Sequence, residues 1–137
     1  MYVTVVCDPA GRTAAYGPAS TADPPTPPDD GTLACTAPLC PTSGLDRTTG
    51  RITDPHHIMQ VDRPLAHAIA TAQPSANLAG PLVAVLAHPG IRLLVVVGPF
   101  DNAEAIKTWW HWHANRFATA GVTCLTVPLT NAKAGAR

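Results

Sequence analysis

Cys35 and Cys40, followed by His56 and His57 in the run Asp54-Pro55-His56-His57, form the one metal-like set of side chains in this sequence. Two thiolates and an imidazole fill three of the four tetrahedral positions around zinc. The adjacent histidine or Asp54 would supply the fourth, and a loop-rich segment would gain order from such a staple. The spacing is not that of a standard zinc knuckle, and Pro38 and Pro41 restrict the loop. Unligated thiols and surface histidines are therefore the plainer reading. Asp54-Pro55-His56-His57-Ile58 also has a vague likeness to the Asp-His segment of histidine-centred nucleases, but no downstream Asn-His and no basic groove accompany it.

A second grouping is Thr108-Trp109-Trp110-His111-Trp112-His113, which gathers all three tryptophans. At helical spacing Trp110 and His113 fall on one apolar face with Ile106 and Phe117. Trp109, Trp112 and Arg116 share the neighbouring face. Exposed, that second face is a stacking platform flanked by a guanidinium, suited to a sugar, a base or the hot spot of a protein partner; buried, it is packing. His111 joins Glu104, Lys107 and Thr108 on the polar side.

Nucleophilic and nucleotide chemistry find less support. Cys7 and Cys124 fall in expected strands, away from the electropositive, accessible setting that activates a thiol. Gly98-Pro99-Phe100 stands where a phosphate loop would, but Pro99 lacks an N–H and Asp101 puts a negative charge where the anion would sit. No catalytic residue is identified.

The totals agree with a binding role. At 137 residues and 46% hydrophobic content the chain is one domain with enough apolar surface for a single core. Nine basic residues balance nine acidic ones, so there is no overall charge to draw nucleic acid or an anionic membrane. Only 13% of residues are charged, which favours self-association or a surface covered by a partner. No export signal and no membrane span are expected, and the four cysteines read as reduced thiols of a cytoplasmic protein.

The elements that must position these residues are read from pattern. Tyr2 to Cys7 and Arg12 to Tyr16, joined by Asp8-Pro9-Ala10-Gly11, predict a β-hairpin. An irregular Pro/Thr/Gly-rich insertion is expected at about 17–58, tacked to the surface by Leu45, Ile52 and Ile58. Asp62 with Pro64 predicts a helix that ends before Pro74. Residues 78–87 are read as a further helical piece, with a hairpin strand as the alternative. Leu93 to Val97 predicts a central strand covered on both faces. Asp101 with Glu104 predicts a capping box, a helix from Asn102 to about Ala120, and a stop at Gly121. Val122 to Leu129 predicts the last strand. The strand–helix–strand unit fits either a parallel β-α-β crossover or two strands flanking a third. The expected fold class is α/β, with α+β as the alternative: a small two-layer sandwich with an N-terminal hairpin, a proline-rich loop, one or two short helices and a C-terminal β-α-β unit. Tyr16-Gly17-Pro18-Ala19-Ser20 and Val97-Gly98-Pro99-Phe100-Asp101 echo each other, an agreement short enough to arise by chance.

Val95 to Ala105, with Gly98-Pro99-Phe100 at its centre and Gly121 closing the helix, resembles a half-repeat of SPOR domains over residues 93–121. That resemblance implies a ferredoxin-like β-α-β-β-α-β sheet and binding to peptidoglycan glycan strands.

The leading expectation is a small non-catalytic protein that binds another protein or its own copy through Trp109, Trp112 and Arg116, without a cofactor. The alternatives are a zinc-stabilised protein or metalloenzyme using Cys35, Cys40 and His56, with His57 as a further ligand, and SPOR-like glycan binding.

Overall fold

A computed structural model describes residues 2–19, 32–41, 57–73, 81–88, 90, 92–110 and 123–130. The strands are β1 (Tyr2–Cys7), β2 (Thr13–Ala19), β3 (Leu33–Cys40), β4 (Met59–Gln60), β5 (Leu82–His88), β6 (Leu93–Phe100) and β7 (Thr123–Thr130). Helix α1 (Arg63–Ala70) follows β4, and helix α2 covers 103–110. The strand order β3-β1-β2-β7-β5-β6 closes on itself through a further β3–β6 pairing, giving a six-stranded barrel with β4 attached to β6. The chain is therefore mostly β, not the two-layer α/β sandwich expected from its sequence, and it does not form the β-α-β-β-α-β sheet implied by the resemblance.

Three local differences produce that change. Leu82–His88, read as helical, is a strand that pairs antiparallel with both β6 and β7. It is covered on both faces, so its side chains show no alternation of polarity to reveal the strand. Leu33–Cys40, expected within an irregular insertion, is β3, paired with β1 from Leu33 to Pro38 and with β6 at Leu39 and Cys40. Its Pro38 stands opposite Tyr2 at the end of that ladder, where a missing N–H costs least. Finally, β6 and β7 run in the same direction but flank β5 rather than pairing with each other. The β1–β2 hairpin, the α1 helix and the fully covered β6 match their expectations. Residues 17–19, expected to begin the loop, instead extend β2, while the rest of that loop at 20–31, Leu45, Ile52 and the helix beyond Trp110 lie outside the described residues.

The barrel has an internal twofold symmetry. Tyr2 pairs with Ala19 and Thr4 with Tyr16, just as Leu82 pairs with Phe100 and Ala84 with Val97. In each hairpin the register slips once, so that Val3 faces Gly17-Pro18 and Val83 faces Gly98-Pro99, a β-bulge in the same place. The third strands agree as well. Thr36, Ala37 and Pro38 oppose Thr4, Val3 and Tyr2, while Thr126, Val127 and Pro128 oppose Ala84, Val83 and Leu82. The two parallel seams also correspond, Ala15 with Leu129 and Tyr16 with Thr130 in one, Leu39 with Val96 and Cys40 with Val97 in the other. The Gly-Pro echo is thus structural rather than accidental.

Mostly small side chains fill the narrow interior, Val3, Val5, Cys7, Ala15, Cys35, Ala37, Val83, Val85, Ala87, Val96 and Val127, joined by Leu94, Leu125 and Leu129. Helix α1 closes one end by adding Leu65, Ala66 and Ile69 to this core. It is tied across both hairpin turns, since Val61 N donates to Arg92 O at 2.9 Å and Gln73 N donates to Gly11 O at 3.1 Å. Those two acceptors are equivalent under the symmetry, and both adopt positive φ, 84° at Gly11 and 56° at Arg92. A second core lies outside the barrel, where α2 covers β5 and β6.

The bulge at Gly98 needs glycine on two counts. Its φ is 155°, and an added Cβ would meet Val83 Cγ1 at 3.1 Å and Leu82 O at 3.2 Å. Gly98→Ala should destabilise the fold by about 2 kcal/mol, measured by urea denaturation. Arg92→Gly should instead stabilise by up to about 1 kcal/mol, because it relieves a left-handed backbone at a non-glycine residue.

Candidate binding surface

The aromatic grouping is positioned by the second bulge. Its extra residue places Val97 and Phe100 on the same outer side of β6, so both join the core under α2. Helix α2 starts one residue later than the capping box predicts. Asn102 Oδ1 accepts from Ala105 N at 2.9 Å and is the cap, while Glu104 reaches forward to Lys107 at 3.8 Å in an exposed pair worth little. Ile106 is buried against the barrel, as its spacing predicts.

Trp109 and Trp110 are both half-buried against that core. The Trp109 ring lies 5.6 Å from Phe100 at 60° and 6.2 Å from Trp110 at 33°. Trp109 is therefore partly packing and partly surface, in a tilted cluster of three rings. Trp112 and Arg116, expected on its face, lie outside the described residues. Phe100 was not singled out from the sequence, because it follows a Gly-Pro pair that reads as a turn. The repeated Gly-Pro was the available signal that this turn is a strand bulge.

The cysteines expected to share a metal are not brought together. On β3 alternate residues point to opposite sides, so Cys35 enters the barrel interior while Cys40 joins the outer core. Two thiols on opposite faces of one strand cannot ligate one ion. His57 sits half-buried just before β4 with Nδ1 lacking a hydrogen-bond partner among the described residues, and His56 lies outside them. Among the described residues no group of three or more His, Cys, Asp or Glu side chains converges.

The thiols are shielded from ionisation. Burial pushes Cys35 up to about 12, with a further contribution from Cys7, and burial alone does the same to Cys124. Burial also raises Cys7, a shift opposed by its contact with Thr13 Oγ1 at 3.1 Å and reinforced by Asp8. None of these three is poised as a nucleophile. Among the described residues no helix is long and apolar enough to cross a membrane.

The raised thiols make stability depend on pH in a defined direction. Below the ordinary value of 9.0 both states keep their protons and the contribution is complete; as pH rises from there toward about 12, only the unfolded chain releases them. The urea midpoint should hold steady near neutrality and fall between about pH 9 and 11, with a shallower fall in Cys35→Ala. A midpoint independent of alkaline pH would show that the thiols are not held this way. No protein family, no curated protein and no solved structure matches the chain, so a functional reading rests on this geometry alone.

Proposed function

We propose that this protein is a small non-catalytic binding module that associates with another protein, or with its own copy, through the aromatic surface of α2. The observation that supports this reading is the partial exposure of Trp109 and Trp110 on a base formed by Phe100 and Ile106. Large rigid rings with one side anchored and the other accessible present contact area at little conformational cost, which is why tryptophan is enriched at interface hot spots. The described barrel interior is lined by aliphatic side chains and protonated thiols, which offer a substrate no acid, base or nucleophile. A cytoplasmic setting, in which the cysteines stay reduced, belongs to the same proposal.

Sedimentation of the purified chain, together with crosslinking in native cells, tests the reading. The wild type should form a defined complex with itself or with a specific protein. Replacing Trp109 and Trp112 together by alanine should weaken that complex at least tenfold while circular dichroism still reports the barrel. Unchanged association in the variant, or a wild type that binds nothing, would remove the proposal. Loss of the folded spectrum would assign these rings to packing alone.

A further inference from the structure

The barrel end closed by α1 carries three exposed arginines. Gly11 and Arg92 occupy equivalent turn positions, both at positive φ and both accepting a backbone hydrogen bond from a segment flanking α1. Glycine meets that backbone demand in one half, so the demand does not explain arginine in the other. Arg92 therefore carries an exposed cationic side chain at a turn position whose counterpart is glycine.

Two more exposed arginines stand at the same end. Arg12 lies between Gly11 and the first residue of β2, and Arg63 opens α1 two residues after Val61, whose N–H is bonded to Arg92 O. Among the described residues none of the three forms an ion pair, and the one salt bridge lies on α2. Among the described residues the acidic groups at this end are Asp8, whose Oδ1 accepts from Arg12 N at 2.9 Å, and the exposed Asp62. His67, also exposed, projects from the same helix.

We infer that this end of the barrel is a recognition surface for a short acidic segment of a partner protein, held by Arg12, Arg63 and Arg92. Guanidinium groups bind carboxylates bidentately, and exposed unpaired ones have no internal partner to surrender first. Helix α1, roughly 12 Å long, separates the Arg92/Arg63 side from the Arg12 side, a span that about four extended residues cover. A nucleic acid suits the surface less well, because it needs a longer cationic track than a chain of zero net charge supplies. This surface is distinct from the α2 aromatic cluster and stands or falls independently of it.

Fluorescence anisotropy with labelled octaglutamate and the full-length chain tests the inference, with octalysine and a single-stranded oligonucleotide as comparison probes. Octaglutamate should bind in preference to both and weaken as salt rises. Arg12→Gln, Arg63→Gln and Arg92→Gly should each reduce affinity by roughly three- to fivefold. Arg92→Gly should do so while raising the unfolding midpoint, a separation of binding from stability that a structural role would not produce. The Trp109/Trp112 double variant should bind octaglutamate as the wild type does. Absence of octaglutamate binding, equal binding of the oligonucleotide, or unchanged affinity in Arg92→Gly would overturn the assignment.

Discussion

Closure of the barrel across two short parallel seams is the constraint on which the rest of this structure depends. Each half contributes an antiparallel three-stranded unit, with β1 central in one and β5 central in the other. Alone, such a unit would leave two edges and one unsatisfied apolar face. The seams at Ala15–Tyr16 with Leu129–Thr130, and at Leu39–Cys40 with Val96–Val97, remove those edges. They also turn Val3, Val5, Val83 and Val85 toward one another in a common interior. Closure also favours small side chains, since six strands enclose a narrow interior, in which Leu94, Leu125 and Leu129 are the larger strand residues. The abundance of valine, alanine and cysteine follows.

The matched registers explain how one short stretch of sequence can serve both halves. A bulge opposite Val3 and another opposite Val83 give each hairpin the same bend, and each bend carries its strand toward the other half at a seam. Val3, Val5, Gly17, Pro18, Thr36, Pro38 and Leu39 recur as Val83, Val85, Gly98, Pro99, Thr126, Pro128 and Leu129. The shared residues sit at the bulges and seams, where closure constrains the backbone most. Helix α1 breaks the symmetry only in sequence order, because it links the halves while bonding to equivalent turns of both.

How much of this could be read from the sequence depended on whether burial was one-sided. Tyr2–Cys7 alternates, Arg63–Ala70 has a helical stripe behind an early proline, and Thr123–Thr130 alternates again, so each declared its own type. Leu82–His88 is buried on both faces and showed no period, while Thr36, Pro38 and the flanking cysteines made β3 resemble a loop. Without those two strands the capped strand–helix–strand unit had no visible partners except an α/β sheet. The separation of Cys35 from Cys40 has a related cause. Five residues along a loop can bring two thiols together, whereas five along a strand place them on opposite faces. The aromatic cluster was legible in its tryptophans but not in Phe100, whose position depends on a bulge that only the pairing reveals.

Divergence between equivalent positions locates what each half contributes. The outer face of the second half is aliphatic, with Leu82, Ala84, Leu86, Val95 and Val97 buried beneath α2. The corresponding face of the first half carries Tyr2, Thr4, Val6, Ala14 and Tyr16, where Thr4 and Thr36 bond through their hydroxyls at 3.0 Å and Tyr16 remains exposed. A hydroxyl pair in place of an aliphatic one lowers the gain from covering that face, so the two surfaces are not equivalent docking sites for a helix. The same comparison applied to the turns sets Arg92 against Gly11. In both comparisons the scaffold is held constant by closure, so the two halves differ in what they present at their surfaces rather than in how they fold.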